Sequence, residues 1–143
     1  MKRIFLTLIA ASVVLISCNN NASTDKKEAS AQSVPTVTGA GIAFEKKSFD
    51  FGKVKDGEKV THEFKFTNNG TEPLIISNAT ATCGCTVPEY PKTPIAPGES
   101  GVIKVVFNSA GKMGLQNKVV SVTSNTTPTL TEVYLTGEVL AKK

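Results

Sequence analysis

The chain of 143 residues has no tryptophan, a single histidine and only three cysteines. Each scarcity closes a class of function. Without tryptophan, and without two cysteines far enough apart to bridge two sheets, an antibody-type domain is excluded. His62 has no serine or acid placed by sequence to complete a triad, so hydrolase chemistry has no supporting constellation. A closed zinc site wants four ligands; beyond the cysteines the chain offers only His62 and the thioether of Met113. Lys46, Lys53, Lys65, Lys104 and Lys118 are scattered, and no basic stripe with interleaved aromatics exists, which excludes a nucleic-acid binder. Gly111, Gly114 and Gly137 lack the spacing and the following helix of a phosphate loop. Asp50, Asp56, Glu58 and Glu63 read as solvated strand and turn residues rather than paired catalytic carboxylates. No catalytic residue, no cofactor and no small-molecule substrate is therefore expected, and the chain reads as a non-enzyme.

The longest apolar stretch, residues 4–16, falls short of the ~20 residues a membrane span needs. Lys2 and Arg3 precede it, polar Asn19-Asn20-Asn21 follows, and it ends in Leu15-Ile16-Ser17-Cys18. This arrangement resembles the lipobox of bacterial lipoproteins. The resemblance implies that residues 1–17 are a signal peptide, that Cys18 receives a diacylglyceryl group on its thiol, and that its freed amino group is acylated with a fatty acid such as palmitate. A membrane partner reached through the lipid on Cys18 follows, as does a place in the bacterial cell envelope. Asn19 is not the acidic residue tied to inner-membrane retention in some bacteria, so the outer membrane is the expected address. Cleavage would take Lys2 and Arg3 from the 16 basic side chains, leaving 14 against 12 acidic ones, so the printed net charge of +4 overstates the working protein.

Residues 18–41 are rich in Asn, Ser, Thr, Ala and Lys with almost no large apolar side chain. Such a segment cannot bury enough surface to offset its ordering entropy. It reads as a flexible tether, with a reach of about 5–6 Å × √n for n residues of random coil.

Residues 42–143 have β texture throughout. Val60, His62, Phe64 and Phe66 alternate with Thr61, Glu63, Lys65 and Thr67, up to the turn signal Asn68-Asn69-Gly70. That turn is expected to use positive φ at Asn69-Gly70. Residues 73–77, 101–107, 118–123 and 129–139 supply further strands, preceded by a short pair near residues 42–44 and 49–51. Pro97-Gly98 fits a type II turn. About seven short strands in roughly 100 residues predict an all-β, immunoglobulin-like β-sandwich. Its core is expected from Phe51, Phe64, Phe66, Phe107, Leu74, Ile76, Ile103 and Leu135.

The order of segments is more specific than any one of them. Phe49-Asp50-Phe51-Gly52, Gly57-Glu58-Lys59-Val60, the strand ending in Asn68-Asn69-Gly70, Pro73-Leu74-Ile75-Ile76, Cys83-Gly84-Cys85-Thr86, Pro97-Gly98-Glu99 and Tyr134-Leu135-Thr136-Gly137 follow one another. Together they resemble an uncharacterised bacterial family of exported proteins, many of them lipoproteins, known as domain of unknown function 1573. The wider resemblance is to the PapD-like branch of immunoglobulin folds. It implies a module that binds other proteins, with another envelope protein as partner and an open sheet edge as one means of holding it.

Cys83 and Cys85 are the only residues of the domain with evident chemistry. Four readings compete: a local disulfide across Gly84, a soft-metal pair for Cu(I) or Zn(II), a redox-active dithiol, or small packing residues. In an extended strand their Cα atoms would lie about 6.7 Å apart, at the limit for a bridge, unless Gly84 lets the backbone tighten. The pair lacks the helix N-terminus that lowers a thiol pKa in C-x-x-C motifs. A local disulfide or packing role is the leading expectation; a periplasmic thiol-redox or copper-handling protein is the rival.

Overall fold

A computed structural model describes residues 35–142, which contain eight strands and no helix. The expected signal peptide, Cys18 and most of the expected tether lie outside these residues. The strands are β1 (Ala43–Phe44), β2 (Ser48–Lys55), β3 (Lys59–Thr67), β4 (Ile76–Ala81), β5 (Thr86–Glu89), β6 (Ser100–Asn108), β7 (Gly114–Ser124) and β8 (Leu130–Leu140). They form two four-stranded sheets, β1-β3-β6-β5 and β2-β8-β7-β4, packed face to face as the expected immunoglobulin-like sandwich. All pairs are antiparallel except β2 with β8, because the chain crosses from one sheet to the other between β1 and β2.

The period-two pattern explains the core. Val60, Phe64 and Phe66 of β3 and Ile103, Val105 and Phe107 of β6 face Val120 and Val122 of β7 and Val133, Leu135 and Val139 of β8. Phe64, Phe66 and Phe107 are fully buried, each contributing about 1.5–3 kcal/mol by removal from water. Of the expected core only Phe51 is half-buried; it leans on Phe107 with ring centroids 5.7 Å apart.

Three expectations need correction. The second strand does not run over residues 73–77: Pro73 begins an irregular stretch, Leu74 makes a single bridge to Ile95, and β4 starts at Ile76. β5 was not visible in the sequence because Pro88 interrupts its pattern. It is tolerated because β5 is an edge strand, where the missing N–H is not required. The tether does not extend to residue 41. Val37 bridges Gly70, Ala40 is buried, and the Gly41 amide donates to Asn68 Oδ1 at 3.2 Å. This docking is possible because Gly70 has no side chain: a Cβ there would strike the Gly39 carbonyl and the Gly41 amide nitrogen. Gly70 is therefore required for close approach, and the expected positive φ is absent from it. The type II turn is present, with Gly98 at φ 80° and Glu99 N–H donating to the Ala96 carbonyl.

Candidate functional site

The two ends of the sandwich differ. At the end where β3 finishes, Asn68 is fully buried and its side chain makes four hydrogen bonds. Its Oδ1 accepts from the amides of Gly41 and Gly70, and its Nδ2 donates to the carbonyls of Glu72 (2.8 Å) and Ile95 (2.9 Å). Asn125 works in the same way nearby, accepting from the Ile75 amide and donating to the Pro73 carbonyl. These side chains replace sheet hydrogen bonds where the strands stop.

At the opposite end, where β3 begins and β6 finishes, lies the Cys83-Gly84-Cys85-Thr86 segment. It links β4 of one sheet to β5 of the other. It is a β-turn, closed by the Thr86 amide donating to the Cys83 carbonyl at 3.1 Å. The turn brings the two cysteine Cα atoms to 5.3 Å, inside bridging range, and the sulfurs are joined as a disulfide. The tightening does not depend on a glycine conformation: Gly84 has no positive φ, and a Cβ there would meet nothing within 4 Å. Cys85 packs against the core and its carbonyl accepts from the Asn108 amide, whereas Cys83 is not part of that packing.

Thr86 is buried, and its hydroxyl lies 3.7 Å from Cys83 Sγ and 3.9 Å from Cys85 Sγ. Among the described residues these two sulfurs are its hydrogen-bond partners. Thr86 pairs with Phe107 across β5 and β6, and the Lys118 ammonium stands 5.5 Å from the Phe107 ring centroid. Neither Thr86 nor Lys118 was singled out by sequence reasoning, although Thr86 stands beside the motif.

The same end carries an unpaired stretch of sheet. β4 pairs with β7 only from Val120 to Ser124, and the Thr82 amide reaches the Val119 carbonyl. Beyond that, residues 114–118 of β7 are paired with β8 on one side and with no strand on the other. The backbone groups of Asn117 and Leu115, in phase with Val119, face the open side. Leu115 is 87% exposed and Met113 66%. Other edges are open as well: β1 has two residues and leaves residues 59–64 of β3 paired with β6 alone, and β4 is itself an edge strand, whereas β2 has a bulge and carries Asp50, Lys53 and Lys55, and β5 contains Pro88.

His62 faces the interior of the sandwich. It stacks on Phe49 with centroids 3.7 Å apart and meets Phe64 edge-on at 4.7 Å. Burial lowers its pKa below 6.5, Glu63 opposes this, and Lys46 adds to it. It is packed as an aromatic between Phe49 and Phe64. No group of three or more His, Cys, Asp or Glu among the described residues could hold a metal ion. An open groove of about 580 Å³ runs between residues 37–42 and the β7–β8 connection, near Lys47, Glu132 and Tyr134. Tyr134 donates to Glu132 Oε2 at 2.8 Å, which raises its phenol pKa.

The family model "Protein of unknown function (DUF1573)" matches residues 42–139. The chain belongs to this family. Among curated proteins none matches the chain. Several solved structures share its fold. A protein of unknown function from Porphyromonas gingivalis W83 is 19% identical with a TM-score of 0.60, covering 73% of this chain and 49% of its own. The PapD-like domain 7 of human CEP192 is 14% identical with a TM-score of 0.54, covering 71% of this chain and 87% of its own. The YadV chaperone is 17% identical with a TM-score of 0.50, covering 68% of this chain and 51% of its own. The chain thus spans about half the length of the Porphyromonas protein. At these identities the likeness establishes the PapD-like fold and nothing further.

Proposed function

We propose that this DUF1573 protein is a cell-envelope lipoprotein, anchored in the outer membrane through Cys18, whose sandwich is a non-catalytic binding or assembly module. The observation that carries the binding role is the unpaired half of β7, residues 114–118, with Leu115 almost fully exposed beside it. An exposed backbone edge with an apolar side chain accepts an extended segment by strand addition. The occupant is an extended segment of another envelope protein, apolar where it meets Leu115. YadV, a chaperone of similar fold, makes a protein-holding role reasonable without assigning one. The anchor rests on the lipobox-like residues ending at Cys18.

Two measurements test the reading. Leu115→Asp in the full-length chain should abolish recovery of a specific envelope protein that the unaltered chain retains. Equal recovery by both chains overturns the edge as the binding site. Cys18→Ala should remove fatty-acyl label and release the chain from the membrane fraction, and label persisting on that variant overturns the anchor.

A further inference from the structure

The Cys83–Cys85 bridge is poorly suited to stapling the fold. A disulfide stabilises mainly by removing freedom from the unfolded chain, and that effect grows with the loop it closes. Here the sequence separation is only two residues. The turn is already held by its own hydrogen bond and by the Asn108 and Thr82 amides, which anchor it to β6 and β7. What needs explaining is the Thr86 hydroxyl. A buried hydroxyl ordinarily donates to an oxygen, because sulfur in a disulfide is a weak acceptor. This one is set almost equidistant from two sulfurs. That placement is weak for the bridge and strong for a thiolate, since hydrogen bonds to an ionised acceptor are about twice as strong as neutral ones.

We propose that the Cys83–Cys85 bridge is an exchangeable disulfide that takes two electrons from a dithiol of another envelope protein, with Thr86 holding the sulfur that leaves. Cys83 is the sulfur attacked, because Cys85 is packed against the core. A substrate thiolate forms a bond to Cys83 Sγ, the Cys83–Cys85 bond breaks, and its electron pair passes to Cys85 Sγ as a thiolate. Thr86 O–H donates to that thiolate. The second substrate thiolate then attacks the substrate's own sulfur in the mixed disulfide and releases Cys83. The substrate dithiol has become a disulfide, and Cys83 and Cys85 have become thiols. Gly84 leaves the approach open, with nothing within 4 Å of where a side chain would stand. Thr86 is a positioning residue, acting through Cys85.

The test uses the full-length chain with dithiothreitol as the dithiol probe. Thr86→Val should slow reduction of the bridge by about tenfold at pH 7, while Thr86→Ser, which keeps the hydroxyl, stays within about twofold. In the reduced unaltered chain, alkylation followed against pH should place the Cys85 thiol below the ordinary cysteine value and Thr86→Val should raise it. This measurement on the unaltered chain stands even if the valine variant fails to fold. A Cys85→Ser chain incubated with oxidised glutathione should hold a mixed disulfide on Cys83. Equal reduction rates in the valine and serine variants, an ordinary or raised Cys85 pKa, or a Cys83 that forms no mixed disulfide would each overturn the proposal. Because none of these readouts involves the edge of β7, their failure leaves the binding role standing.

Discussion

The two ends of the sandwich use polar side chains for opposite purposes. At the end where β3 finishes, Asn68 and Asn125 satisfy backbone groups that no strand reaches, and the chain from Val37 to Gly41 is tied down there. At the end where β3 begins, a threonine hydroxyl is directed at two sulfurs and half of β7 has a neighbour on one side only. The first arrangement stores stability. The second leaves chemistry and hydrogen-bonding capacity unspent. Since the same two sheets run through both ends, the contrast arises from the connections and not from the core.

The largest expected effect tests the stitched end. Asn68→Ala strands two buried amides, the buried Ile95 carbonyl and the part-buried Glu72 carbonyl, and should lower unfolding free energy by about 3 kcal/mol or more in urea titration. Asn68→Asp keeps the two accepted bonds but turns an oxygen toward the Glu72 and Ile95 carbonyls, and should be comparably damaging. Loss below about 1 kcal/mol from both variants would show that this end is not the stitched one. Next comes Gly70→Ala, expected to cost about 1–3 kcal/mol and to free residues 37–41 to fast amide exchange.

The sulfur end should respond more weakly. Reducing the bridge opens a loop of three residues, worth about 1.6 kcal/mol in the chain-entropy relation against about 4.7 for a 100-residue loop. A much larger loss would make the bridge a structural staple and erase the contrast. Between the ends, His62 gives a pH dependence without a large magnitude. Folding disfavours its charged form, so its folded pKa lies below 6.5 and the unfolded chain binds the proton first. Stability should be full well above pH 6.5 and decline as pH falls from there through the folded value. His62→Phe should remove that part of the slope. Smallest of all, Leu115→Asp should change stability by no more than about 0.5 kcal/mol, since the side chain is exposed. A larger loss would mean that Leu115 packs within the fold and is not free for a partner.

Much of this was legible in the chain because alternation is a local signal. The inward phase of β3 runs Val60, His62, Phe64, Phe66, and its next member is Asn68. Its burial continues that phase, but Asn68-Asn69-Gly70 also spells a turn, and the two signals compete at the same residue. Pro88 concealed β5 by the same kind of competition between a local breaker and a strand edge. The cysteines were visible as a pair, whereas Thr86's role was not. That role depends on a turn directing its side chain back toward both sulfurs, which adjacency in sequence does not disclose. The open half of β7 was illegible for a different reason. An edge exists only by the absence of a neighbour, and β4 ends early because the chain must cross to the other sheet at Cys83-Gly84-Cys85.

The described chain comes in beside Asn69, whose side chain donates to the Pro35 carbonyl, and β8 ends beside Lys55 at the far end. Nine residues of β3 separate those ends, about 30 Å of strand. Any attachment made through residues before Pro35 therefore grips the domain at its stitched end. The domain has a handle and a tip: pulled or held from its N-terminal side, it turns the sulfur turn and the bare edge of β7 toward whatever lies farthest from the point of attachment.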